Sequence, residues 1–382
     1  MPEKYKLTYF NATGIAEPIR YMFHYAGCTK FEDVHLNFNE WPKFKPEMPL
    51  RQLPVLEIDG KMYNQSRAIA RYLAKKCNLY SDDAIEALEI DGTVDSLEDL
   101  RQALGTFYWE KEPIMKQNLK KIAFEKLPYF LDKFEEQVKR NDGHFVRGKL
   151  TWADIMYAAY TQMFTEFCGN DVNKNHPELQ KLVDKVHAIP NIKAYLEKRS
   201  KEMMFIAYPA RYIPQESPNF FIVLLLAGGS QGKRKNMSTY KLIYFNVTGL
   251  AESIRYMFHY GGIEFEDDRI DIADWPRQKA ALANFRWKKD PVVKEKFNEI
   301  AFEKLPFCLR KFEEQVKENG GYFVRGKLSW VDFTYEAYTE YLNAFLTMDL
   351  NKDHPELKKL VDKVHALPNV KAYLEKRPKA LY

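Results

Sequence analysis

The sequence predicts an α/β domain followed by an all-helical domain, and then a second, shortened copy of the same arrangement. Residues 5–64 contain short apolar and aromatic runs around one helical stretch, which is typical of strands flanking a helix. Residues 84–199 have helical periodicity almost throughout. Segments of the first half recur after residue 237, which indicates an internal duplication.

The first elements form a predicted β-α-β unit. Tyr5 to Phe10 alternates and is rich in aromatic residues, so we predict a strand. Glu17 to Tyr25 has apolar residues at helical spacing and follows the turn residues Thr13 and Gly14. A second strand is predicted from Phe31 to Leu36. The helix between the two strands implies that they pair in parallel.

A hairpin and a second helix follow, which gives the predicted order β-α-β-β-β-α. Apolar runs flank Asp59-Gly60, a dipeptide favoured in tight hairpin turns. Ser66 begins a helix that runs to about Cys77, and we expect Ser66 to cap it. The region from Ala84 to Arg199 is predicted to be helical. Its expected breaks lie at Pro128, Gly143, Pro177 and Pro190.

The duplication is incomplete. The segment Lys6 to Asn11 recurs as Lys241 to Asn246, and Lys133 to Val138 recurs unchanged as Lys311 to Val316. The offset between equivalent tryptophans is 234 residues early in the copies and 178 residues later, so the second copy lacks 56 residues. The missing block corresponds to roughly residues 46–101 of the first copy.

The segment between the copies resembles neither of them. Residues 201–236 combine three prolines, the apolar run Phe220 to Leu226 and a Gly-Gly-Ser sequence, which is unusual for a solvated linker or for a strand. Met237 then resembles the start of a protein, so a joined pair of genes is one interpretation and a true two-unit protein is the other. The predicted segments are 1–78, 84–200, an atypical linker 201–236, a truncated remnant 237–279, and a second all-helical domain 280–382.

Composition and charge exclude several classes of protein. The net charge of +5 is small for 382 residues and both signs are interspersed, so we expect no nucleic-acid partner. The four cysteines form no disulfide or metal-ligand pattern, which favours reduced thiols in a cytoplasmic protein with no metal. No apolar run approaches the roughly 20 residues that span a bilayer, and we expect no signal peptide and no membrane partner.

Three local features are candidates for chemistry. Tyr9 lies at the end of the first strand, where open sheets hold ligands; the alternative is a half-buried strand tyrosine. Leu53-Pro54 precedes a strand, and a cis bond there would turn backbone groups toward a bound peptide; the alternative is an ordinary strand-start proline. Gln65-Ser66 opens a helix whose free N–H groups favour a carboxylate; the alternative is a simple cap.

The three features together resemble the glutathione transferases, and the local sequence is similar to their sigma class. The residues that carry the resemblance are Tyr5 to Asn11, Glu40-Trp41-Pro42, Gln52 to Gly60, Gln65 to Leu73 and Gly148 to Asp154. The resemblance covers residues 4–199. It implies a thioredoxin-like N-terminal domain packed on an all-helical domain, glutathione as co-substrate, an electrophilic small molecule as second substrate, and a homodimer through the first copy.

The resemblance also implies a role for each site residue. Tyr9 would donate a hydrogen bond to the glutathione sulfur, and Asp99 would reach the γ-glutamyl amine of the partner's ligand. The remaining contacts would be Trp41 and Lys45 at the glycine end, Gln52, Leu53 and Pro54 at the cysteine backbone, and Gln65 and Ser66 at the γ-glutamyl carboxylate. The acceptor site would be lined by Phe10, Phe107, Tyr108 and Trp109, for which a plain core role is the alternative.

Two positions depart from the family pattern. Ile15 stands where some sigma enzymes have an arginine, which argues against prostaglandin isomerase activity. Arg51 stands where the family commonly has glycine, and this leaves open a crystallin-like or ligand-binding protein without activity. A thioredoxin-like redox enzyme is disfavoured because Cys28 belongs to no CxxC motif. The second copy is expected to be inactive and to have an open sheet edge, since its missing residues include most of the binding positions.

Overall fold

The computed structural model describes residues 4–27, 31–199, 223–226, 240–245, 249–270, 291–346 and 348–377. The chain divides into two compact units, residues 1–217 and residues 218–382. We refer to them as the first unit and the second unit.

The first unit begins with a four-stranded sheet and its helices. The elements are β1 (Tyr5–Phe10), α1 (Glu17–Tyr25), β2 (Glu32–Leu36), α2 (Trp41–Phe44), β3 (Val55–Ile58), β4 (Lys61–Asn64) and α3 (Ser66–Lys76). The strand order is β2-β1-β3-β4, with β1 and β2 parallel and the other pairs antiparallel. The predicted order of elements and the parallel β1–β2 pair are therefore confirmed.

The remainder of the first unit is helical. The helices are α4 (Ala84–Trp109), α5 (Pro113–Arg140), α6 (Trp152–Cys168), α7 (Pro177–His187) and α8 (Pro190–Lys198). The predicted break at Pro128 is wrong, because α5 runs through this residue. Packing of α5 along α4 holds the helix together even though the proline lacks one backbone donor.

The centre of the helical domain is α6. Its first turn carries a capping box in which the Asp154 carboxylate accepts from the Thr151 backbone N–H at 2.7 Å and the Thr151 hydroxyl at 2.9 Å. Trp152 is fully buried, and Arg71 of α3 lies with its Cζ 5.5 Å from the indole centroid. A single hydrophobic core therefore joins α3 of the sheet domain to α6 of the helical domain.

The second unit repeats part of this architecture. Its described elements are β5 (Val223–Leu226), β6 (Tyr240–Phe245), α9 (Gly249–Tyr260), β7 (Phe265–Ile270), α10 (Pro291–Glu318), α11 (Trp330–Leu346), α12 (Pro355–His365) and α13 (Pro368–Lys376). The sheet order is β5-β6-β7, with β6 and β7 parallel. Glu313 of α10 accepts two backbone N–H groups at the start of α12, both at 2.9 Å, as Glu135 of α5 does at the start of α7.

The expectation of an open edge beside β6 is wrong. β5 comes from the atypical segment between the copies and pairs antiparallel with β6, with Val223 opposite Ile243 and Leu226 opposite Tyr240. In the first unit, β3 pairs with β1 in the same direction and register, since Val55 lies opposite Thr8. β5, from the end of the linker's apolar run, therefore takes the place of the strand that the second copy has lost.

Candidate functional site

Three of the predicted site residues lie side by side at one end of the strands in the first unit's sheet, at the carboxyl end of β1. Thr8, Val55 and Asn64 form one row across β1, β3 and β4. One residue farther toward the same end of the sheet are Tyr9 in β1, Pro54 just before β3 and Gln65 just after β4. The register of the sheet therefore brings together residues that are distant in sequence.

Tyr9 is buried in a rigid environment. Its side chain is fully buried, and its ring meets Phe10 edge to face at 5.6 Å. Arg20 lies with its Cζ 6.0 Å from the centre of the Tyr9 ring. Burial alone would lower the pKa of Arg20, but the carboxylates of Asp33 and Glu17 raise it above its usual value. A permanent cation therefore stands beside Tyr9.

Trp41 and Leu53 belong to the same small hydrophobic cluster as Tyr9. The Trp41 ring meets Phe10 edge to face at 5.6 Å, and Phe10 stacks on Phe38 at 4.5 Å. Lys45 begins the short 3-10 turn that follows α2 and is partly exposed. Trp41 and Leu53 form part of the apolar floor behind the sheet edge, while Lys45 lies at the surface.

The segment before β3 has an unusual backbone. The Leu53–Pro54 peptide bond is cis. Gln52 is partly buried and precedes it. Leu50 and Arg51 have φ values of 49° and 54°, in the left-handed region that costs non-glycine residues about 1–2 kcal/mol each. The strain at Arg51 gives a physical reason for a glycine at this position.

The N-terminus of α3 is not capped as expected. The prediction that Ser66 caps the helix is wrong: Gln65 is the cap residue, with φ 76° and ψ 103°, and it makes no side-chain capping hydrogen bond. Ser66 is the first helical residue, so it belongs to the first turn, whose backbone N–H groups lack intrahelical acceptors. An ion pair between Arg67 and Asp95 attaches this turn to α4.

Asp99 lies farther along α4 and is half-buried. Burial lowers the pKa of Lys126 on α5, and the negative charge of Asp99 partly offsets that shift.

The four aromatic candidates for an acceptor site separate into two groups. Phe10 and Phe107 are 2% and 3% exposed and lie within hydrophobic cores. Tyr108 and Trp109 at the end of α4 keep part of their surface exposed.

Sequence reasoning missed two residues at this site. The sequence predicts only a turn at Gly14, yet this residue lies against the hydroxyl end of Tyr9. Arg20 donates to Asp33 at 2.8 Å, to the Ala12 carbonyl at 2.9 Å and to Glu17 at 3.2 Å. The spacing of Glu17 and Arg20 by three residues on one helix was the available signal.

The described residues contain neither a metal-binding cluster nor a membrane-spanning helix. Among the described residues, no group of three or more His, Cys, Asp or Glu side chains could hold a metal ion. Across the same part of the chain, no helix combines the length and apolar character needed to cross a membrane.

The second unit keeps only part of the site. Tyr244 at the end of β6 occupies the position of Tyr9 and is 2% exposed. The second copy lacks the residues that correspond to Gln65, Ser66 and Asp99. β5 restores the backbone pairing beside β6, and among the described residues β6 is the next element along the chain.

Comparison with protein families gives matches in both halves of the chain. Residues 5–75 match the glutathione S-transferase N-terminal domain. Residues 98–199 and again 274–377 match the glutathione S-transferase C-terminal domain. The helical domain is therefore present twice, and the predicted fold class is confirmed.

Individual relatives match about half of the chain. Glutathione S-transferase S1 of Drosophila melanogaster is 43% identical over 196 residues, covering 51% of this chain and 78% of the relative. Glutathione S-transferase of Anopheles gambiae is 39% identical, covering 52% of this chain and 98% of the relative. The solved structure of prostaglandin synthase D of Nilaparvata lugens superposes with a TM-score of 0.50 at 38% identity, covering 52% of this chain and 98% of that one.

Proposed function

Because this chain belongs to the glutathione S-transferase family, we propose that its first unit is a sigma-class enzyme that conjugates glutathione to electrophilic apolar compounds. The thiolate sulfur attacks an electrophilic carbon, a carbon–sulfur bond forms, and the leaving group departs with its electron pair. The thiol proton passes to solvent. The observation that carries the proposal is the meeting of Tyr9, Pro54 and Gln65 at one sheet edge.

Tyr9 is the proposed catalytic residue. A free thiol has a pKa near 8.5, so only a few per cent of it is thiolate at neutral pH. A hydrogen bond to a charged acceptor is worth about 1.5–3 kcal/mol, and about 1.4 kcal/mol lowers a pKa by one unit. One tyrosine hydroxyl that donates to the sulfur is therefore sufficient to make the thiolate a substantial fraction at pH 7.

The peptide of glutathione is held by the residues around Tyr9. We propose that Trp41 and Lys45 contact the glycine end, and that Gln52, Leu53 and the backbone before Pro54 contact the cysteine. Gln65 and Ser66 receive the γ-glutamyl carboxylate at the start of α3. The absence of a side-chain cap on Gln65 supports this role, because the first backbone N–H groups of a helix favour an anion.

The apolar substrate binds beside Tyr108 and Trp109. These two rings pack edge to face at 5.0 Å, and the Tyr108 hydroxyl donates to Glu166 at 3.2 Å. Phe10 and Phe107 support the site from within the cores. The same site could accept a lipid hydroperoxide, which two glutathione thiols reduce to an alcohol and water while becoming a disulfide. Ile15 stands where some sigma enzymes have an arginine, so we do not propose prostaglandin isomerisation.

We further propose that the first unit forms a cytoplasmic homodimer in which Asp99 contacts the γ-glutamyl amine of the ligand bound to the partner subunit. The enzyme domains are residues 1–78 and 84–200. The second unit, residues 218–382, does not bind glutathione, because its sequence lacks the counterparts of Gln65, Ser66 and Asp99.

The test compares two equivalent tyrosines in the full-length chain. Tyr9→Phe should lower turnover of a chlorodinitrobenzene-type acceptor at least about ten-fold, equivalent to about 1.4 kcal/mol, and change glutathione affinity less than a few-fold. Tyr244→Phe, the matched control, should leave turnover unchanged. Undiminished turnover by Tyr9→Phe between pH 6 and 8 would overturn the proposed role of Tyr9. Failure of the wild-type chain to bind immobilised glutathione would overturn the proposed function itself.

A further inference from the structure

Gly14 lies directly against the hydroxyl end of Tyr9. A β-carbon built on Gly14 would stand 2.6 Å from the Tyr9 Oη, 3.1 Å from Cε1 and 3.3 Å from Cζ. A carbon–oxygen separation of 2.6 Å is well inside van der Waals contact. Gly14 also has φ +47°, a conformation that other residues adopt at a cost. The hydroxyl therefore occupies space that only glycine leaves free.

Tyr9 is packed among buried neighbours that resist displacement by a methyl group at this position. Its side chain is fully buried, with Phe10 on one side at 5.6 Å. Arg20, also fully buried, lies 6.0 Å from the ring centre and is held by Asp33 at 2.8 Å. A side chain enclosed in this way can relieve a new contact only by shifting its hydroxyl or displacing its neighbours.

The backbone that carries Gly14 is held in place as well. Arg20 donates a hydrogen bond to the carbonyl of Ala12 at 2.9 Å, in the loop between Tyr9 and Gly14. The backbone N–H of Glu17 donates to the Thr13 carbonyl at 3.1 Å. The loop therefore cannot withdraw without breaking buried hydrogen bonds, and each such loss leaves a desolvated polar group.

We propose that Gly14 is a positioning residue: the lack of a β-carbon at residue 14 sets where the Tyr9 hydroxyl stands, and so sets the strength of its hydrogen bond to the glutathione sulfur. This inference rests on the proposed role of Tyr9. Gly14 touches no substrate and acts through the tyrosine alone. A displaced hydroxyl weakens stabilisation of the thiolate while leaving the residues that hold the peptide unchanged.

The experiment is a double-mutant cycle in the full-length chain, with the pKa of enzyme-bound glutathione measured from the ultraviolet absorbance of its thiolate. Gly14→Ala should raise that pKa and lower kcat about ten-fold, with glutathione affinity changed less than three-fold. In the Tyr9→Phe background, Gly14→Ala should lower kcat less than about three-fold, because the nearest atom that the methyl meets, the Tyr9 hydroxyl oxygen, is gone.

Gly60→Ala is the matched control. Gly60 has φ +86° in the β3–β4 turn and nothing within 4 Å of its β-carbon position, so it tests left-handed backbone strain without contact with Tyr9. This variant should leave the bound thiol pKa unchanged. If Gly14→Ala behaves like Gly60→Ala, or lowers kcat equally with and without the Tyr9 hydroxyl, the inference is overturned.

Three further outcomes distinguish failure of this inference from failure of the proposed role of Tyr9. If Gly14→Ala alone gives little folded protein, adding Tyr9→Phe should restore the yield, and failure to restore it overturns the inference. If Tyr9→Phe changes neither the thiol pKa nor kcat, the proposed role of Tyr9 fails, and the inference fails with it. If Tyr9→Phe has its expected effect and Gly14→Ala has none, only the inference fails.

Discussion

The guanidinium of Arg199, directly after α8, lies 2.6 Å from a carboxylate oxygen of Glu17 in α1, a residue that is only 1% exposed. The same carboxylate accepts from the Tyr195 hydroxyl at 3.0 Å and from Arg20 at 3.2 Å. This buried pair attaches the C-terminal end of the helical domain to the first helix of the sheet domain. The second unit repeats the contact between Arg377 and Glu252 at 2.8 Å.

We predict that Glu17→Gln lowers the free energy of unfolding of the first unit by about 3 kcal/mol, because it leaves two partly or fully buried cations without their shared carboxylate. This change is measured from the thermal unfolding transition of the first unit, which is identified as the one whose midpoint glutathione raises. Glu89→Gln is the control, since its pair with Arg147 is exposed and worth about 0–1 kcal/mol. Equal losses for the two variants would contradict the prediction.

Ser66→Ala should weaken glutathione binding more than it slows the chemical step. Ser66 lies in the first turn of α3, remote from the reacting sulfur, so its contribution is made equally in the ground state and the transition state. Calorimetric titration with glutathione should show a raised Kd, while kcat at saturating glutathione changes less than three-fold. Wild-type affinity in Ser66→Ala would rule this out. Ser96→Ala, in the middle of α4, is the control and should leave Kd unchanged.

Arg51→Gly should stabilise the first unit and tighten glutathione binding. Arg51 has φ 54°, and glycine removes about 1–2 kcal/mol of left-handed strain while adding about 0.5–1 kcal/mol of unfolded-state entropy, so a net gain near 0.5 kcal/mol is expected. Arg147→Gly is the matched control, since Arg147 has φ 48° and lies far along the chain in the helical domain. It should leave glutathione affinity unchanged. A higher Kd in Arg51→Gly would show that the arginine itself assists binding.

The second unit should lose stability as pH rises. Glu336 in α11 is 1% exposed, accepts from the Tyr256 hydroxyl at 3.2 Å and lies 2.5 Å from Nε2 of His365. Burial raises the pKa of Glu336, and the hydrogen bond to Glu336 raises the pKa of His365. The other charged groups facing this cluster are Glu340 and Arg377, which pair with each other.

Stability falls as pH rises because Glu336 and His365, whose pKa values are raised by folding, bind protons more tightly in the folded state. Their contribution to the free energy of unfolding is complete below their usual pKa values of 4.5 and 6.5. It is lost as pH rises through their pKa values in the folded state. In the first unit, Ala158 stands in place of Glu336, and burial lowers the pKa of His187, so its contribution is lost as pH falls. The thermal unfolding transition that glutathione does not shift reports on the second unit, and its midpoint should fall between pH 5 and 8. Glu336→Ala should make this midpoint less dependent on pH. A wild-type midpoint that rises with pH would contradict the prediction.

The second unit should also associate with other copies of the chain. Trp330 is 65% exposed, whereas its counterpart Trp152 is fully buried beneath α3, which the second copy lacks. Tyr338 is 38% exposed and its counterpart Tyr160 only 1%. Exposed aromatic side chains of this size favour burial in an interface.

Trp330→Lys should therefore reduce species larger than a dimer in sedimentation velocity at increasing protein concentration. Ile114→Lys is the control: Ile114 is 71% exposed in the first unit, and its replacement should leave the distribution unchanged. If wild-type protein shows only one concentration-independent species, the exposed face around Trp330 does not drive association.

The sequence predicts most of the first unit because its signals are local. The Asp59-Gly60 turn, the Thr151–Asp154 capping box and the alternating first strand each depend on a few adjacent residues. Predictions from the sequence are wrong where a contact between residues distant in sequence determines the local structure. Pro128 remains helical because α5 packs along α4, and β5 pairs with β6 because a vacant strand edge was available.

The candidate site shows the same division. The positions of Tyr9, Pro54 and Gln65 at one edge follow from strand order, which the family resemblance supplies and residue spacing alone does not. The burial of Phe10 and Phe107 depends on partners from other elements, such as Phe38 and Phe124. The closeness of Gly14 to the Tyr9 hydroxyl does not follow from the sequence, because a Thr-Gly turn has many conformations.

The pairing of β5 with β6 determines where the second unit can be separated from the first. A polypeptide that starts at Met237 lacks Val223 to Leu226, so β6 would have no antiparallel neighbour in that chain. Such a fragment should be complemented by a peptide carrying residues 220–229, added in trans. In the intact chain the strand is tethered close to its acceptor, at an effective concentration on the order of millimolar. β5 therefore acts as an intramolecular ligand of the second unit.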